Sequence, residues 1–264
     1  MLVNRRTLSL MMAAGLASPA AFGQRAAPKP PPSPQFAALA EIANALGMLR
    51  GTQREWKSIN RIYYIADGSV SVPGTGERWT DYKLTRGMIE MNYVMPALRV
   101  DVTRSAGGKT ERSIEVARGD AAWNETGPGI GATNAPGAAK GRRWLIYTTP
   151  HGVVRAAMEA AVKDAASVAV DAKGFKFPSP DGVATVALDA NKRPSRVELA
   201  VNHPVLGATT VVTALSDYRD WEKLGVWFPA RIVQTIGARK TQDLRVTEFR
   251  SNPYVIFPIP AGVG

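Results

Sequence analysis

The chain has 264 residues, no cysteine, and 33 Lys and Arg against 22 Asp and Glu, a formal net charge of +11. Without cysteine it has neither a disulfide nor the lipid-modified thiol of an anchored lipoprotein. The bases are scattered, clustering only at Lys140, Arg142, Arg143 and at Arg239, Lys240, and no basic motif interleaved with aromatics occurs. This excludes the usual nucleic-acid modules, so no nucleic-acid partner is expected. The surplus positive charge fits a solvated surface or peripheral contact with an anionic membrane.

Residues 1–23 read as a signal peptide. Arg5 and Arg6 precede an apolar run from Leu8 to Phe22, and no acidic residue interrupts it. That run is too short for a transmembrane helix of roughly 20 residues, but it suits the core of an export signal. The adjacent arginines resemble a twin-arginine signal, although Asn4 stands where Ser or Thr is commoner. Small residues at Ala20 and Gly23 offer cleavage points, and the expected location is the periplasm. Residues 24–35 hold five prolines and read as an extended linker. Residues 36–260 are then the length of one large domain.

Within that domain the period of the apolar residues changes twice. Phe36 to Leu49 places Phe36, Leu39, Ile42, Ala43, Leu46 and Leu49 at helical spacing. From Ile59 onward the chain reads as strands: Arg61–Ala66, Trp79–Tyr93 and Ala97–Arg104, separated by Asp67-Gly68, the 73–76 turn and Gly107-Gly108. The glycine- and proline-containing stretch Asn124–Gly141 reads as a loop. A second helix is predicted over residues 150–164, with Thr149 as N-cap, Pro150 at the first helical position, and Val153, Val154, Ala157, Met158, Ala161 and Val162 as its buried stripe. Strands then recur at Val168–Asp171, Phe175–Phe177, Val183–Leu188, Arg196–Val201, Thr209–Ser216, Val226–Thr235 and Leu244–Phe249. Together these predict a mainly β (α+β) fold: a curved antiparallel half-barrel sheet of about ten to eleven strands with two packed helices.

Catalytic signatures are missing. The chain contains no G-x-S-x-G pentapeptide, no phosphate loop and no dinucleotide fingerprint; the Gly127–Gly131 run lies in a proline-containing loop. The two histidines, His151 and His203, are far apart in sequence and read as a helix first-turn residue and a turn residue. No metal, no cofactor and no enzymatic activity is therefore expected. The segment Asp217-Tyr218-Arg219-Asp220-Trp221 is both charged and aromatic, so Tyr218, Arg219 and Trp221, with Trp123, are the candidates for ligand contact. A core Tyr and Trp beside an ion pair would leave the same signature.

Several segments carry a resemblance. Asn202-His203-Pro204-Val205-Leu206-Gly207, Ser216–Asp220 and Val226–Gln234, with Gly119–Asn124, Thr149–Gly152, Asp243-Leu244, Val246-Thr247 and Asn252-Pro253, resemble the domain that precedes metallo-β-lactamase-fold (MBL) hydrolase domains in exported bacterial proteins. A weaker similarity in shape is to the periplasmic lipoprotein carriers (LolA-like half-barrels). The zinc hydrolase chemistry of the fused proteins needs an H-x-H-x-D-H cluster, and two separated histidines cannot supply it. The resemblance thus implies a non-catalytic exported domain that holds a lipid or apolar small molecule on a concave sheet. The alternative is an interaction module that docks onto another exported protein, such as a separately encoded hydrolase.

Overall fold

A computed structural model describes residues 32–49, 59–73, 78–203 and 206–263. The signal peptide and residues 24–31 of the linker read from the sequence lie outside these residues, and the linker's last two residues, Pro34 and Gln35, open the first helix. The described chain begins with helix α1 (Pro34–Ala45) and continues through strands β1 (Arg61–Pro73), β2 (Trp79–Asn92), β3 (Ala97–Ala106), β4 (Lys109–Arg118), β5 (Ala121–Glu125) and β6 (Thr133–Asn134). Two helices follow, α2 (Ala138–Thr148) and α3 (Pro150–Lys163). The remaining strands are β7 (Ala169–Val170), β8 (Gly174–Ser179), β9 (Gly182–Leu188), β10 (Pro194–His203), β11 (Gly207–Asp220), β12 (Trp227–Ile236) and β13 (Arg239–Ser251).

All thirteen strands form one antiparallel sheet, in the order β6-β5-β4-β3-β2-β1-β13-β12-β11-β10-β9-β8-β7. Two meanders thus run outward from a central seam where β1 pairs with β13, Tyr64 opposite Phe249. The sheet is mainly β and open, as expected, with three helices where two were predicted and thirteen strands where ten or eleven were. The extra pieces are β4, β5, the two-residue β6, and α2, which begins inside the stretch read as a loop and continues beyond it.

The sheet cannot be flat. Arg143 of α2 donates to Asp120 Oδ1 in the β4–β5 turn (2.6 Å) and to Asp181 Oδ1 in the β8–β9 turn (3.0 Å). Strands β4 and β9 lie eight places apart in the sheet order, about 38 Å in a flat sheet at ~4.8 Å per strand. One guanidinium bridges both turns only because the two wings curl toward each other. The result is a half-barrel whose mouth is clasped by an arginine.

The helices fill the hollow. α1 starts at the N-cap Ser33, whose Oγ accepts from Phe36 N (3.2 Å), and buries Leu39, Ile42 and Ala43. It stops at Gly47, whose φ of +74° and close approach to Gly225 O (a Cβ would lie 1.8 Å away) admit no other residue without strain. α3 has the predicted cap: Thr149 Oγ1 accepts from Gly152 N (3.3 Å), with Pro150 in the first turn. Residues Pro150 to Met158 are all buried. The inner faces of the strands contribute Ile62, Tyr64, Met91, Phe177, Val197, Phe228 and Phe249 to the same core. A smaller cluster sits on the outer face of β3–β5, where Ala97, Ile114, Val116 and Trp123 are covered by Val255 and Phe257 of the C-terminal segment.

Candidate functional site

With the hollow largely occupied, a cleft of about 530 Å³ lies beside α3. That is within the roughly 300–1,000 Å³ of ordinary small-molecule sites. The α3 wall has two parallel rows. Gly152, Ala156 and Ala160 recur every four residues and form a shallow trough, because none carries a side chain beyond Cβ. Arg155, Glu159 and Lys163 recur at the same interval and form a charged ridge beside it. Arg155 Nε donates to Glu159 Oε1 (3.1 Å) and Nη1 to Asn60 Oδ1 (3.0 Å), so that ridge is held in place.

The opposite walls come from three separate turns. Tyr93 and Pro96 belong to the β2–β3 turn, Ile146 and Tyr147 to the end of α2, and Pro178, Ser179 and Pro180 to the β8–β9 turn. Gly152 lets α2 and α3 meet this tightly: a Cβ there would lie 2.0 Å from Ile146 O. Tyr93 is fixed by a hydrogen bond between its hydroxyl and Thr149 Oγ1 (3.0 Å), and burial pushes its phenol far above the usual range. Burial, then the neighbouring Asp181 carboxylate, pushes the Tyr147 phenol up to about 12. Both phenols are therefore neutral at physiological pH.

The sequence-derived candidates are placed elsewhere. Trp123 is fully buried in the outer cluster, and its indole N–H donates to Glu125 Oε1 (2.9 Å). Tyr218 donates to Pro194 O (2.6 Å), Trp221 Nε1 donates to Phe228 O (3.0 Å), and Arg219 lies 5.5 Å from the Trp221 ring. Tyr218, Arg219 and Trp221 share one end of β11 as expected, but Trp123 stands on the other wing, and none of the four lines the cleft. His151 is buried beside the Phe228–Phe249 pair, its ring 6.0 and 6.1 Å from theirs. His203 ends β10 and faces Trp144 at 5.5 Å. Among the described residues no group of three or more His, Asp or Glu could hold a metal ion, and no helix is long and apolar enough to cross a membrane. In the sequence the small residues and prolines of the cleft carry no chemical signature, and its tyrosines and charged residues come from segments that only the fold brings together.

No family model and no curated protein matches the chain, so the resemblance to the domain preceding MBL hydrolases rests on the quoted segments alone. Solved structures of similar outline include a LolA superfamily protein from Nitrosomonas europaea, with a TM-score of 0.43, 11% identity, and coverage of 81% of this chain and 93% of that one. LprF from Mycobacterium bovis is similar over 88% of this chain and 99% of its own, with a TM-score of 0.33 and 11% identity.

Proposed function

We propose that this is a non-catalytic, exported binding protein that holds an apolar or lipid-like molecule in the cleft beside α3. The observation that carries the reading is the Gly152-Ala156-Ala160 trough, walled by Pro96, Ile146 and Pro178 and backed by a fully packed core. Gly152 is small because α2 packs on it, but at Ala156 and Ala160 a helix that only had to cover the sheet would gain by burying larger side chains. Residues 1–23 support a site of action outside the cytoplasm. The proposed ligand site is the cleft, in place of Trp123, Tyr218, Arg219 and Trp221, whose polar atoms and rings are engaged within the protein. The same observation favours ligand binding over docking to an exported partner, since the trough is concave and narrow.

The test is mass spectrometry of organic extracts from natively purified protein, beside the Ala160→Trp variant, whose indole would occupy the trough. We expect a copurified apolar molecule in the wild type that is lost in the variant, while both unfold at similar denaturant concentrations. An empty wild type that also binds no apolar fluorophore would overturn the reading.

A further inference from the structure

At the cleft wall, in Ser179, and behind it, in Arg143, Trp144 and Asp181, the fold leaves polar groups unpaired. Four buried side-chain atoms without a hydrogen-bond partner fall in this one region: Arg143 Nε, Trp144 Nε1, Ser179 Oγ and Asp181 Oδ2. Their proximity follows from the Arg143–Asp181 hydrogen bond, from Trp144 being the next residue of α2, and from Ser179 sitting two residues before Asp181 in the tight turn where it pairs with Gly182. Tyr147 lies one turn further along α2, is 6% exposed, feels the charges of Asp181 and Arg143, and lines the cleft together with Ser179. Buried polar groups are nearly always satisfied, and a local group of exceptions calls for a cause. A hydroxyl that is desolvated against a cleft wall is one that a ligand can satisfy.

We propose that Tyr147 and Ser179 form a head-group site for an amphiphile with a neutral hydroxyl or amide head, whose chain lies along the trough; this rests on the cleft being a ligand site. The charge balance selects the head. Arg143 already pairs with Asp120 and Asp181, and Arg155 with Glu159, so neither guanidinium is free to receive a carboxylate or phosphate. A head that both donates and accepts matches two hydroxyls that can do the same.

Titration calorimetry with 1-dodecanol, its methyl ether 1-methoxydodecane and dodecanoate separates the outcomes. We expect dodecanol to bind about tenfold tighter than the ether, the worth of one or two neutral hydrogen bonds, and tighter than dodecanoate. Ser179→Ala and Tyr147→Phe should each narrow the dodecanol–ether gap without weakening the ether; Ser179→Ala serves alone if the tyrosine variant fails to fold. Equal binding of alcohol and ether, or tightest binding of dodecanoate, would overturn the head-group site while leaving the cleft reading intact. No binding of any of the three would remove both.

Discussion

The two faces of α3 make opposite use of the same helix. On the sheet side Val153, Val154, Ala157 and Met158 are fully buried, and His151 lies against the stacked pair Phe228 and Phe249, whose centroids are 4.4 Å apart. On the cleft side the residues are glycine, alanine and a charged row, and the space beyond them is open. The first face stabilises the domain and the second adds little to stability, which frees it to meet a ligand. Stability and binding should therefore respond to different substitutions.

The sharpest break is at the aromatic stack. Phe228→Ala removes a fully buried ring that touches Tyr64, His151 and Phe249. We expect a loss of about 3–5 kcal/mol in chemical denaturation, the usual cost of a large core cavity. Ala160→Trp, on the other face, should change stability by much less. A similar loss from both substitutions would erase the distinction between the faces.

The next effect concerns the clasp that joins the wings. Arg143→Ala leaves Asp181, whose side chain is 1% exposed, without its ion pair to Arg143 and leaves the β4–β5 turn untethered. Stranding a buried charge in this way costs about 3 kcal/mol, and Asp120, which is fully exposed, adds little to that. Adding Asp181→Asn to Arg143→Ala should recover part of the loss, because the stranded charge is then gone. Denaturation midpoints of the single and double variants check this. An unchanged midpoint in Arg143→Ala would mean that the curl is held by the helices alone.

What the sequence discloses follows the same division. α3 is legible because everything that makes it is local: Thr149 caps, Pro150 starts, and the apolar stripe is buried except for Val162, which is exposed. α2 is not, since its N-cap Gly137 supplies no side-chain bond, its first turn has no acid, and Gly141 interrupts it. It is held instead by reach: Arg142 Nη1 donates to Val116 O (2.9 Å) and Trp123 O (2.7 Å), while Arg143 spans two turns. Strand β4 was overlooked because Lys109 to Arg112 are all exposed and charged or polar, so only its second half shows alternation. The cleft is less legible still, because Tyr93, Tyr147, Gly152 and Ser179 meet only after the wings have curled. The aromatic cluster at Tyr218 stood out in the sequence for reasons that prove structural: a ring and an indole bonded to backbone carbonyls.

The smallest effect lies where α2 meets the end of β10, and it is a pH dependence. His203 Nδ1 accepts a hydrogen bond from Leu206 N (3.2 Å), an arrangement that needs the nitrogen unprotonated, and its ring faces Trp144. Burial lowers its pKa below 6.5 in the fold. The unfolded chain then binds the proton more readily than the native one, so acid favours unfolding. The histidine's contribution is complete above the unfolded value of about 6.5 and is lost as the pH falls through it toward the lower folded value. Unfolding free energies measured between pH 7.5 and 5.5, above the range in which most carboxylates titrate, should fall for the wild type and fall less for His203→Gln. Because the ring borders Trp144, the indole emission of the native protein should shift over the same window and stay constant in the variant. Parallel slopes for the two proteins would assign the acid sensitivity elsewhere and leave α2 anchored by its arginines alone.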